Sequence, residues 1–149
     1  MMKRQKRLVM HVDDDSAIRN LVRSALERAG YEVLSIADPT TANATLLDTD
    51  CRVVLLDVDM PGINGLDLLQ QIKNQDGGVQ VIMLTGLVSM STMLQSMRCG
   101  AEACLFKPIE DFEQLKQALT EAFVKVDRWW SSLQELSERK NRETASLSR

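Results

Sequence analysis

Two adjacent carboxylates, Asp13 and Asp14, together with Asp57, Thr85 and Lys107 make a set able to handle a phosphoryl group if the fold gathers them. Each follows a short apolar run that reads as a strand. In an open α/β sheet the carboxyl ends of the strands line one edge, where sites are built. Three carboxylates brought together repel, and one must protonate unless cations compensate. Lys107 supplies one positive charge, and a hard divalent ion such as Mg²⁺, held by a few carboxylates and water, supplies the rest. A hydroxyl and an ammonium beside a carboxylate and a metal suit phosphoryl transfer to an aspartate, where positioning and charge neutralisation do most of the catalysis. Taken singly, each group has a plain structural reading: a capping acid, a strand-end threonine, a surface lysine. On its own stretch, Val53 to Gly62, Asp57 reads equally as a strand-to-helix cap or as a nucleophile.

The elements that must carry these groups alternate along the chain. Leu8 to Val12, Tyr31 to Ile36, residues 52–57, Val79 to Leu84 and Ala103 to Phe106 read as five strands. The unbroken Val53-Val54-Leu55-Leu56 run fits a strand buried on both faces. Between them lie helical patterns: one capped by Ser16 and stopped at Gly30, a weak one over Pro39 to Asp48, one from about Asn64, a methionine-rich one near 90–98, and a last one from about Glu110. Five strands alternating with five helices, the last one extended, predict an α/β fold with a doubly wound five-stranded parallel sheet.

Composition narrows the function. The 149 residues suffice for one domain with an appended element, and 44% hydrophobic with 26% charged residues is ordinary for a globular protein. A net charge of −3 leaves no footprint for direct nucleic-acid binding, and no stretch is long and apolar enough to cross a bilayer. The basic start, Lys3 to Arg7, reads as a solvated flank. Cys51, Cys99 and Cys104 are an odd count without framework spacing, which points to reduced thiols in the cytoplasm. His11 is the only histidine, so neither a zinc site nor a histidine-based hydrolase triad can be assembled. Inside the first strand it reads as a satisfied core histidine, and Met83, Met90, Met93 and Met97 read as core and helix packing.

Val12-Asp13-Asp14-Asp15, Leu56-Asp57-Val58-Asp59-Met60-Pro61-Gly62-Ile63-Asn64-Gly65, Leu84-Thr85-Gly86 and Phe106-Lys107-Pro108 resemble the motifs of response-regulator receiver domains of two-component signalling. The resemblance covers about residues 7–127 and implies a flavodoxin-like strand order of 2-1-3-4-5. It also implies that Asp57 accepts a phosphoryl group from the phosphohistidine of a sensor kinase or histidine phosphotransfer protein. Asp14 and Asp57 then ligate Mg²⁺ with the backbone carbonyl of Asp59, and Asp13 assists through water. Lys107 pairs with the phosphoryl oxygens, and Thr85 turns its hydroxyl onto them beside the Gly86 amide. Such a chain is a phosphoacceptor that takes part in its own phosphorylation, not an enzyme. Two positions depart from the pattern. Cys104 stands at the switch position where many receivers carry an aromatic residue, and Leu87 is apolar at a variable site that influences the phosphoryl lifetime. The Leu55-to-Asp59 run also resembles the first motif of haloacid-dehalogenase-type phosphatases, with Asp59 as general acid. The order of the acids along the chain and the absence of room for a cap domain argue against that reading.

Beyond the receiver-like segment, 1–127, apolar spacing continues. Leu115, Leu119, Ala122, Val126, Trp129, Leu133 and Leu136 follow a four-three alternation of about three heptads. The extension, 128–140, is expected to pair with its copy in a second subunit or to fold back, and residues 141–149 to form a flexible tail. The chain reads either as a single-domain regulator or as a receiver and signalling helix cut from a larger one.

Overall fold

The apolar runs assemble as a parallel sheet because both of their faces must be covered, and helices on each side do this. The computed structural model describes residues 7–86 and 89–147; the basic start before Arg7, Leu87 with Val88, and the last two residues lie outside them. In chain order the elements are β1 (Leu8–Val12), α1 (Ser16–Arg28), β2 (Glu32–Ile36), a 3₁₀ turn (Pro39–Thr41), α2 (Ala42–Asp48), β3 (Val53–Leu56), β4 (Asp59–Met60), β5 (Ile63–Asn64), α3 (Gly65–Gln75), β6 (Gln80–Thr85), α4 (Met90–Arg98), β7 (Ala103–Phe106) and α5 (Glu113–Leu147). The main sheet runs β2-β1-β3-β6-β7, all parallel, which is 2-1-3-4-5 when only its own strands are counted. A two-residue antiparallel pair, β4 and β5, is added after β3; strands so short carry no period in sequence.

Strand alternation sorts the core into two layers. Val9, Val53, Leu55, Ile82 and Leu84 pack under α1 and α5, while Met10, Val54, Leu56, Val81 and Met83 pack under α3 and the start of α2. Three helices start on side-chain caps. The first cap differs from expectation: Asp15, not Ser16, accepts hydrogen bonds from the amides of Ala17 (2.9 Å) and Ile18 (3.3 Å), and Ser16 is the first helical residue. A carboxylate also suits the positive end of the helix dipole better than a hydroxyl does. Asn64 and Ser89 cap α3 and α4. Asp111 accepts from the Glu113 amide at 2.9 Å, so the last helix begins three residues later than the sequence pattern suggests.

Four further expectations are corrected. Residues 141–147 are helical, not a loose tail, because Glu, Arg and Ala are good helix formers and neither Gly nor Pro interrupts the stretch. Met90, Met93 and Met97 face solvent on α4, and only Met83 of the four belongs to the core. His11 is buried, yet neither ring nitrogen makes a hydrogen bond among the described residues. Nor does the chain fold back after Val126. Val126 is 8% exposed, but Trp129, Leu133 and Leu136 on the same uninterrupted helix are 65%, 54% and 52% exposed.

Candidate functional site

The parallel register delivers the expected side chains to one edge. Asp13 follows β1, Asp57 follows β3, Thr85 ends β6 and Lys107 follows β7. The edge is knitted by main-chain bonds: the Asp57 amide donates to the Val12 carbonyl at 3.0 Å, and the Lys107 amide to the Thr85 carbonyl at 2.8 Å. Asp13, Asp57 and Thr85 are buried, whereas Asp14, Asp59 and Gly86 are exposed at the rim. Carboxylate oxygens of Asp13, Asp14 and Asp57 lie within 4.8 Å of one another. The Lys107 ammonium sits 2.7 Å from Asp13 Oδ2 and 3.4 Å from Asp57 Oδ2. Asp57 Oδ1 accepts a 3.2 Å hydrogen bond from the Asp59 amide, and Asp13 Oδ1 a 2.9 Å bond from the Asp15 amide.

Burial pushes the Asp57 carboxyl above the usual carboxylate range; Lys107 pulls it back, and the neighbouring Asp13 pushes it up again. Burial acts against the Lys107 charge, but the hydrogen bond and charge of Asp13, then those of Asp57, hold it above its ordinary value. The lysine therefore stays cationic between acids that need it. Three carboxylates against one ammonium leave an oxygen-rich, negatively charged cluster, which is the donor chemistry a hard divalent cation takes. Mg²⁺ thus fits the residues present.

Three contributors lie outside the set of acids, hydroxyl and lysine expected to carry the chemistry. Arg19, one turn into α1, donates from Nη1 to the Asp13 carbonyl at 2.7 Å and braces the loop between β1 and α1. Gly65 lies so close to the chain after Asp57 that a Cβ there would stand 2.1 Å from the Asp57 carbonyl oxygen and 2.6 Å from Val58 Cα. Its amide also donates to the Val58 carbonyl at 2.9 Å, so the glycine that closes the Met-Pro-Gly-x-x-Gly segment is a backbone requirement. His11 places Nε2 3.7 Å from Asp13 Oδ2, the oxygen already held by Lys107, and burial above all pushes its pKa down to about 4, Asp13 raising it and Lys107 and Arg19 lowering it further. Only spatial neighbourhood reveals the first and third. A glycine eight residues after a strand-end acid is the available signal for the second.

Cys104 lies on the α4 side of β7, packed against that layer; burial pushes its thiol up and the nearby Ser96 lowers it. Phe106, two residues on, shares that side and is partly exposed. The seam residues Trp129, Leu133 and Leu136 lie on the projecting part of α5 and contribute nothing to this edge.

A doubly wound sheet with acids, a hydroxyl residue and a lysine at its carboxyl edge defines a class of phosphoacceptor signalling domains, and similarity to known proteins agrees. The family model for the response regulator receiver domain matches residues 9–120, and the chain belongs to that family. The chain is 39% identical over 105 residues to the C4-dicarboxylate transport transcriptional regulatory protein DctD of Pseudomonas aeruginosa, covering 67% of this chain and 22% of that protein. It is 33% identical over 107 residues to the phosphate regulon transcriptional regulatory protein PhoB of the same organism, covering 70% and 47%. Thus the chain spans half or less of the length of these relatives. A CheY-like receiver domain from Methanospirillum hungatei superposes with a TM-score of 0.76 at 27% identity, covering 83% of this chain and 99% of that one. The beryllofluoride-activated NtrC4 receiver domain dimer matches equally well, at 0.76 and 28%, covering 80% and 98%. Family membership removes the phosphatase alternative for the Leu55-to-Asp59 motif. Among the described residues, no helix is long and apolar enough to cross a membrane.

Proposed function

We propose that Asp57 takes a phosphoryl group from the phosphohistidine of a sensor kinase or histidine phosphotransfer protein, in a Mg²⁺-dependent reaction in the cytoplasm. An Asp57 carboxylate oxygen bonds to phosphorus as the P–N bond to the donor imidazole breaks, and that electron pair leaves with the imidazole nitrogen. The observation that carries this reading is the placement of the Asp57 carboxylate beside Lys107 and within one cluster with Asp13 and Asp14. Asp14, Asp57 and the Asp59 backbone carbonyl would hold Mg²⁺, with Asp13 acting through water. When bound, the ion supplies the positive charge that lets the acids and a phosphoryl group share one edge. Lys107, 3.4 Å from Asp57, moves its ammonium onto the phosphoryl oxygens. The Thr85 hydroxyl and Gly86 amide close over them, and Cys104 at the switch position offers no aromatic lever to relay that movement. The chain spends these groups on its own modification and does not turn over a substrate.

The output proposed is a change in protein contacts, with the projecting part of α5 pairing with a second copy in a C2 dimer. Its exposed Trp129, Leu133 and Leu136 continue the heptad seam of the packed half, and apolar stripes of that kind call for a partner. The test of the acceptor is mass spectrometry after exposure to an acyl-phosphate donor. A phosphoryl mass that needs Mg²⁺ and disappears in Asp57→Asn supports the reading, and its absence overturns it. Light scattering with and without Mg²⁺ and BeF₃⁻ tests the output; monomers in both states rule out the dimer switch.

A further inference from the structure

His11 is a buried polar group beside the site that the phosphoacceptor reading leaves unused. It lies on β1 two residues before Asp13, so both side chains leave the same face of the strand. Its register partners are Ser35 on β2 and Leu55 on β3. The ring is 0% exposed, and neither nitrogen is hydrogen-bonded among the described residues. A buried polar side chain without a partner costs stability, and such a group calls for an explanation. Here the explanation is next to it. Nε2 stands 3.7 Å from Asp13 Oδ2, just beyond hydrogen-bond length, and that same oxygen receives the Lys107 ammonium at 2.7 Å.

We propose that His11 is a positioning residue, a relief donor: when Lys107 leaves Asp13 for a phosphoryl group on Asp57, the neutral imidazole closes onto Asp13 Oδ2 through its Nε2–H. The inference rests on the phosphoacceptor reading. Lys107 has one ammonium to share between two acids, so its move toward Asp57 takes the direct cationic donor from Asp13 Oδ2 and leaves the buried carboxylate to the Asp15 amide and a metal-bound water. Leaving a buried charge unsatisfied costs more than making an ordinary hydrogen bond gains. His11 needs to move by less than 1 Å relative to Asp13 to restore the bond, by the difference between 3.7 Å and ordinary hydrogen-bond length. A neutral imidazole suits this better than a cation: it offers a donor without adding a third positive group to repel Lys107. No proton changes hands in the exchange. Only the donor to Asp13 changes.

The chain has a single histidine, so one imidazole spin system reports the event. The experiment is ¹⁵N–¹H spectroscopy of the histidine-labelled full chain, before and after Mg²⁺ with BeF₃⁻ as phosphoryl mimic. The expected result is a neutral Nε2–H ring in both states, with its proton shifted downfield and protected from exchange only when BeF₃⁻ is bound. His11→Leu is expected to weaken BeF₃⁻ binding about tenfold, the scale of one hydrogen bond to a buried charge, and His11→Gln, which keeps a donor, to recover most of the loss. Should His11→Leu fold poorly, the wild-type spectrum still decides the matter. BeF₃⁻ binding that leaves the imidazole signals unchanged, or a His11→Leu chain that binds like wild type, overturns the relief role alone. Failure of the wild type to bind BeF₃⁻ at all overturns the Asp57 reading and this inference with it.

Discussion

Helix α5 carries one apolar pattern and two fates. Leu115, Leu119, Ala122 and Val126 are buried against β6, β3 and β7, while Trp129, Leu133 and Leu136, at the same four-three spacing, stand in solvent. The helix has no break between them. Spacing therefore specifies which side of a helix is apolar, and the neighbour alone decides whether that side is covered. For the first half the neighbour is the sheet that also builds the phosphoacceptor edge. For the second half, running roughly 30 Å past it at 1.5 Å per residue, the neighbour proposed is another copy of the chain.

The largest effect expected from breaking this comparison comes from paired truncations. Leu119→Ala empties a fully buried position and is expected to cost about 2–5 kcal/mol in denaturant unfolding, at any protein concentration. Leu133→Ala removes the same atoms from an exposed position and is expected to change monomer stability by less than about 0.5 kcal/mol. Its cost should grow as concentration rises, because stability drawn from a second subunit follows mass action. A Leu133→Ala cost that is large and independent of concentration would mean that the projecting half is covered within its own chain.

A smaller effect distinguishes the edge from the helix by pH. Burial raises the folded pKa of Asp57 above its ordinary 3.8, so the native state keeps this proton to higher pH than the unfolded chain does. Below 3.8 both states are protonated and the group is neutral to stability. As pH rises, the unfolded chain ionises first and stability is lost, the loss being complete once pH passes the raised folded value. Asp57→Asn is accordingly expected to raise the melting temperature at pH 7 without Mg²⁺, with a gain that shrinks as pH approaches 3.8. Melting that is unchanged, or a gain that does not depend on pH, would contradict the account of burial given for this carboxyl. Substitutions in the projecting half should show no such pH dependence.

Much of the fold and its edge is legible in the amino-acid sequence alone. The five sheet strands and the gathering of Asp13, Asp14, Asp57, Thr85 and Lys107 at one edge follow from apolar runs that end in polar groups, because a parallel sheet leaves few ways to cover such runs, while the strand order is what the resemblance to receiver domains implies. What is not legible depends on contacts between elements or on competition between neighbours. Asp15 and Ser16 are both good caps, and only backbone geometry chooses between them. The methionines of α4 have a helical period but no layer above them. Arg19 and His11 act on Asp13 through distances of a few ångströms that no spacing encodes, and Gly65 is required by an approach to the Asp57 carbonyl visible only in three dimensions.

The smallest expected effect tests whether the two halves of α5 are energetically separate. Past Val126 the helix lacks sheet packing, so its order rests on intrinsic propensity and on local pairs such as Arg139 to Glu135, four residues apart and 2.7 Å across. Both side chains are largely exposed, and pairs of that kind contribute about 0.3–0.5 kcal/mol and weaken with salt. Glu135→Ala trades this pair for the best helix former, so the net loss is smaller still at high salt. Hydrogen exchange of amides 135–147 is expected to speed up slightly at low salt, with protection of Leu115 to Val126 unchanged. If exchange quickened in the packed half as well, the two halves would be one cooperative unit, and a signal at the phosphoacceptor edge could reach the end of α5 through the helix itself. Local change alone would leave pairing with a second copy as the means by which the projecting half gains order.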